Sequence, residues 1–199
     1  MRISDDRYRR DRRAFDLAWR LLGHDARTGT ISRWTGLAER RIRTLQRSYR
    51  DEKAASKSRR PRGRTPYRVE LLLRSSRRRD EVTELARMLH KAGLIPRDAL
   101  CDADDRLPNI ERGELLCDVF ERYTQRFPAA TISIEHAVLV VLALARRDEV
   151  DLGSCAVCER LLLIDRLATR QMPCSACGAT NSDGTPDGCK DGGHLKALF

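Results

Sequence analysis

The 199-residue chain predicts a mainly α fold: an N-terminal helix-turn-helix and helical body, followed by a C-terminal four-cysteine, zinc-ribbon-like module. Three features point to it. Two Cys-x-x-Cys pairs, Cys155 with Cys158 and Cys174 with Cys177, flank a fifteen-residue spacer. Apolar residues over most of the remaining chain recur every three or four positions, the period of helices with one buried face. Gly36 divides two short helical stretches where a tight turn belongs.

The cysteines carry the most specific chemistry. A Cys-x-x-Cys turn gathers two thiolates at one corner of the chain, and two such turns supply the four soft ligands that tetrahedral Zn²⁺ prefers, at ~2.3 Å each. Four thiolates leave no ligand position for water, so one zinc ion per chain would be structural, and no catalytic residues are expected. The short apolar run Leu161 to Ile164 between the pairs suggests a ribbon-like hairpin. The competing readings are two disulfides or a redox dithiol. Met1 to Arg13 is mostly charged, so no secretory leader is expected and the expected compartment is a reducing cytoplasm, where thiols bind metal more often than they pair. The longest apolar run, Ala137 to Ala145, is nine residues, well short of the ~20 that cross a bilayer, so no membrane association is expected.

Charge is unevenly placed. Residues 1–68 hold 21 Lys or Arg against 8 Asp or Glu, whereas residues 69–199 hold 18 against 21, which together give the net +10. A positive excess confined to one third of the chain points to a polyanionic partner, most naturally nucleic acid; a solvated basic face is the plainer alternative.

In order, residues 1–50 form a basic helical region. Asp11 to Gly23 reads as a helix, with Ala14, Leu17, Ala18, Leu21 and Leu22 on one side. Thr28 to Arg50 reads as a helix-turn-helix: Ile31 precedes Gly36, and Ile42 and Leu45 face inward on a second helix that starts near Ala38. That leaves Arg40, Arg43, Thr44 and Arg47 outward, candidates to grip phosphate or a guanine edge in double-stranded DNA. Helical hairpins of this kind also occur in proteins that touch no DNA.

Residues 51–68 form an Arg/Pro-rich arm or linker. Its Arg59, Arg60, Arg62 and Arg64 are candidates for further phosphate contacts, against the duller reading of a solvated spacer.

Residues 69–150 form the helical body. One long helix is expected over Val69 to Ala92, stopped at Gly93, then an acidic connector over Asp98 to Asn109. Helices follow over Glu111 to Phe127 and from Ile134 to about Asp148, the last apolar almost all round and so buried, in the core or against another subunit. Residues 151–178 form the zinc-binding module, and 179–199, rich in Gly, Asp, Asn and Ser, are expected to be disordered. Cys101 and Cys117 read as small apolar residues, His24, His90 and His136 as structural, and Cys189 and His194 as uninvolved in metal binding.

This order of parts resembles the C subunit of the bacterial flagellar master transcriptional activator, the FlhC family. The resemblance spans roughly Arg10 to Gly178 and is carried by Pro61-Arg-Gly-Arg-Thr-Pro66-Tyr67, by Lys91-Ala-Gly-Leu94, and by Leu152-Gly-Ser-Cys155-x-x-Cys158 with Cys174-x-x-Cys177. It implies zinc on those four cysteines and a hetero-oligomer of two such chains with four D-type flagellar activator subunits. It also implies binding to promoter DNA and recruitment of RNA polymerase. The Arg-rich arm and the Gly/Asp-rich tail depart from the family pattern. Two rivals stand beside this reading: an RNA-binding or ribosome-associated zinc-ribbon protein, and a thiol oxidoreductase, which would need an exposed thiolate of lowered pKa.

Overall fold

Helix α1 (Asp5–Gly23) buries the expected stripe, Ala14, Leu17, Ala18, Leu21 and Leu22. The computed structural model describes residues 5–52, 68–95, 108–147, 149–168 and 173–178. Within these, α1 starts six residues earlier than its apolar pattern requires. The added turns are charged and exposed, with Arg9 paired to Asp6 at 2.7 Å; just after them, Arg13 reaches Glu114 of a later helix at 2.6 Å.

The next two helices, α2 (Thr28–Thr35) and α3 (Glu39–Glu52), are separated by a turn that starts at Gly36. Gly36 sits at φ 72°, a left-handed conformation that a side chain resists, and its N–H donates to Ser32 O. Side chains pin the turn from both sides. Thr35 Oγ1 donates to Ile31 O and accepts from Leu37 N–H, and Ser32 Oγ donates to Leu37 O. Ile31, Trp34, Leu37 and Ile42 are buried, and Leu45 is packed against the same core.

The single helix expected over Val69 to Ala92 is two: α4 (Glu70–Leu73) and α5 (Ser76–Lys91), broken at Ser75 with φ −98° and ψ 130°. The break precedes the charged stretch Arg77 to Asp80, which is helical. The cause lies in the apolar residues. At about 100° per residue, the buried set Val69, Leu72 and Leu73 and the buried set Val82, Leu85, Ala86 and Leu89 would lie on roughly opposite sides of an unbroken helix. The break lets both reach one core.

Helix α6 (Ile110–Arg126) begins at Asn109, whose side chain accepts the Arg112 N–H at 2.9 Å. Helix α7 (Ile134–Arg146) begins with a reciprocal cap between Ser133 and His136 and ends at Arg147, in a left-handed conformation. It is buried on nearly every side and packs on α5, α6 and the first strand, so its apolar surface is covered within the chain. One buried residue is not apolar. The Glu135 carboxylate accepts from the Arg27 backbone N–H at 2.8 Å and from Thr30 Oγ1 at 3.0 Å, tying α7 to the start of α2.

Strands β1 (Val150–Ser154) and β2 (Leu161–Asp165) pair antiparallel, Val150 opposite Asp165 and Ser154 opposite Leu161. The hairpin packs on α5 and α7, and its Val150 and Leu163 join the core of the helices. β1 starts one residue ahead of the expected module.

Arg20 pairs with Asp118 and Glu121 of α6, and His24 Nε2 lies 3.1 Å from Glu121 Oε1, consistent with a structural role for that histidine. Cys117 is buried there, and its desolvation pushes the thiol up to about 12, as suits a small apolar filler. Asp51 and Glu52, expected to open the arm, instead continue α3; residues 53–67 of the arm, the acidic connector before Pro108, the tail, Cys101, Cys189 and His194 lie outside the described residues. No helix among the described residues is long and apolar enough to cross a membrane.

Replacing Glu135 with Ala strands the Arg27 N–H and the Thr30 hydroxyl. It is expected to lower the unfolding free energy by about 1–3 kcal/mol, measured by urea denaturation with circular dichroism.

Candidate metal centre and basic face

The turn of the β1–β2 hairpin is itself the first cysteine knuckle. Cys155 N–H donates to Arg160 O at 2.9 Å, one rung beyond the Ser154–Leu161 pair, and Glu159 N–H closes back on Cys155 O at 2.9 Å. The second knuckle repeats the closure, with Gly178 N–H on Cys174 O at 2.8 Å. Both closures end in a left-handed residue, Glu159 at φ 55° and Gly178 at φ 73°. Only the second uses glycine, the residue that adopts this conformation without strain.

The two turns bring the four sulfurs together, all within 4.8 Å of one another. Across the knuckles, Cys155 Sγ lies 3.6 Å from Cys177 Sγ and Cys158 Sγ lies 3.7 Å from Cys174 Sγ. A disulfide would need ~2.05 Å. A regular tetrahedron of sulfurs at ~2.3 Å from a central ion has edges of about 3.8 Å. The spacing therefore fits chelation of one metal ion such as zinc. Cys155 and Cys174 are buried, Cys158 and Cys177 exposed.

Backbone N–H groups favour the ligating form of the two buried sulfurs. Those of Cys177 and Ala176 lower the Cys174 thiol to about 6, and those of Cys158 and Val157 lower Cys155 in the same way. Thiolate is the species that binds metal.

The hairpin is clamped to α5 by a residue that sequence reasoning does not single out. The Arg87 guanidinium donates twice to Leu161 O, at 3.0 and 2.7 Å, and pairs with Glu84, which also holds Arg160 at 2.7 Å. Leu161 and Arg160 directly follow the first knuckle, so α5 fixes where that knuckle stands. Seventy-four positions separate Arg87 from Leu161, and no local pattern announces such a contact.

At the other end, α3 packs on α1 and α2 and leaves Arg40, Arg43, Thr44 and Arg47 exposed, as its periodicity predicts. Their surroundings differ. Arg43 is paired with Glu39 at 2.8 Å, and Thr44 Oγ1 donates back to Arg40 O at 3.2 Å. Arg41, absent from the predicted set, lies over the Phe15 ring at 4.1 Å and so braces α3 on α1. Arg59, Arg60, Arg62 and Arg64 lie outside the described residues.

A scan against protein-family models finds no match to this chain, and a search of curated proteins finds none either.

In the metal-free chain near pH 7, a thiol lowered to about 6 is mostly thiolate, whereas one raised to about 12 is not. Iodoacetamide followed by peptide mass mapping should modify the metal-free cluster, whose Cys158 and Cys177 are exposed and whose Cys174 is ionised, and leave buried Cys117 intact. One equivalent of Zn²⁺ should protect Cys155, Cys158, Cys174 and Cys177 together. Modification of Cys174 unchanged by metal would contradict the site.

Proposed function

We propose that this chain is a zinc-containing, DNA-binding subunit of a transcriptional activator, without catalytic activity of its own. It would act at flagellar promoters in a hetero-oligomer with a D-type partner and recruit RNA polymerase. The observation that carries the DNA part is the exposed arginine face of α3, set behind a turn that Gly36, Ser32 and Thr35 hold rigid. It lies in the third of the chain that holds the whole positive excess. In this reading α2 and α3 are a helix-turn-helix whose second helix enters the major groove, and the arginines of the arm add phosphate contacts. The flagellar target, the D-type partner and the polymerase rest on the family resemblance alone.

Zinc on Cys155, Cys158, Cys174 and Cys177 would be a staple rather than a reagent. Four sulfur ligands leave no open position, and the ion would hold the two knuckles in one arrangement at the edge of the helical body. An RNA-binding or ribosome-associated protein is the second reading, since an arginine-rich basic region together with a zinc module in one chain serves either nucleic acid. Competition between duplex DNA and RNA for the metal-loaded chain separates the two.

The affinity for duplex DNA should fall linearly with salt on a log–log scale, by about 0.9 per phosphate neutralised. Changing Arg40, Arg43 and Arg47 together to Ala should weaken binding by on the order of a hundredfold and flatten the slope by about 2.7 if each meets one phosphate. Fluorescence anisotropy over a salt series measures both. A flat salt response, or an unaffected triple variant, sinks the DNA reading.

A further inference from the structure

An open cleft of roughly 690 Å³ lies where the N-terminal half of α1, the end of α2 and the first turn of α6 meet. Four arginines line it, Arg9, Arg10, Arg13 and Arg33, against two carboxylates, Asp6 and Glu111. Two of the four are balanced inside the protein: Arg9 by Asp6 at 2.7 Å, and Arg13 by Glu114 at 2.6 Å with Glu111 at 3.4 Å. Arg10 and Arg33 have no carboxylate partner among the described residues.

Two further features of the wall want the same kind of complement. Asn109 and Ile110, also in the wall, begin the seventeen-residue helix α6, and the first backbone N–H groups of a helix favour an anion. Trp34 lines the cleft as well. It is 1% exposed, and its indole Nε1–H is buried without an acceptor, a rare state for a buried donor. What lacks a partner around this cleft is therefore a donor or a cation. A group with one or two negative charges and several acceptor oxygens would satisfy Arg10, Arg33 and the first N–H groups of α6 together, with the buried Trp34 indole beside it as a reporter, and guanidinium forks match phosphate in shape.

We propose that this cleft seats a phosphate group, and that its source is the backbone of duplex DNA. The choice of source rests on the DNA reading above: Gly36, at the rim of the cleft, starts the turn into α3. A phosphate bound here would lie beside the start of the helix proposed to read the groove.

The test uses the full chain with metal bound and the indole N–H resonance of Trp34, assigned by comparison with a Trp19→Phe variant. Inorganic phosphate is titrated at fixed ionic strength against chloride, and a short duplex is titrated separately. The variant is Arg10→Ala with Arg33→Ala; the control, Arg78→Ala with Arg122→Ala, removes two exposed charges that do not line the cleft. Phosphate and duplex should both shift Trp34 while chloride does not, and the Arg10/Arg33 variant should lose both shifts. Its duplex affinity should drop on the order of tenfold, with a salt slope flatter by about 1.8, and the control should change less. Phosphate shifts with unchanged duplex affinity would keep the seat but overturn its assignment to DNA in favour of a free phosphorylated ligand. Duplex binding that depends on Arg40, Arg43 and Arg47 but leaves Trp34 unmoved and the Arg10/Arg33 variant unaffected would overturn the seat and spare the DNA reading. No response of Trp34 to either titrant overturns the proposal outright.

Discussion

The mutual placement of four cysteine sulfurs is the constraint on which the C-terminal part of this protein depends. A hairpin with five residues in each strand buries little apolar surface and is marginal in water by itself. Here it gains support from two directions. Val150 and Leu163 enter the core of the helices, and the Arg87 guanidinium grips Leu161 O directly behind the first knuckle. The second knuckle has less from the protein, since Cys174 is its one buried residue, and it reaches the first through its sulfurs. A metal ion between the two would close that gap, which is how metal binding becomes folding energy in small modules of this kind.

The helical part is organised so that its N-terminal helices can stay cationic without unravelling. α7 supplies the apolar centre, and its one buried carboxylate, Glu135, fixes the start of α2. Arg13 and Arg20 fasten α1 to α6 through carboxylates, so part of the N-terminal positive charge is consumed inside the fold. The rest lies outside it. Arg40 and Arg47 on α3, and Arg10 and Arg33 at the cleft, are exposed on elements whose other sides are anchored by Ile42, Leu17 and Trp34. Rigid elements that present unneutralised cations would, in the proposed DNA complex, have little ordering left to do.

Much of this was legible in the residues. The Cys-x-x-Cys spacing anticipated one cluster, because a two-residue gap sets the bite of each pair wherever the chain goes. Gly36 marked its turn, because only a left-handed residue closes it so tightly. The break at Ser75 was legible too, but only by comparing phases: Val69, Leu72 and Leu73 keep helical spacing among themselves and fall out of phase with Val82 and Leu85. Periodicity taken segment by segment runs the two helices together. What the sequence hides are meetings between distant positions. The Arg87–Leu161 clamp, the grip of Glu135 on Thr30 and the cleft between α1, α2 and α6 each depend on tertiary proximity, and an arginine or glutamate looks the same on a solvated face as in such a contact.

X-ray absorption at the zinc edge on the purified, metal-loaded chain tests the centre most directly. Four sulfur neighbours at about 2.3 Å, with one zinc per chain, are the expected result. Nitrogen or oxygen among the neighbours, or a chain that takes up no zinc and holds its cysteines as disulfides, would contradict it.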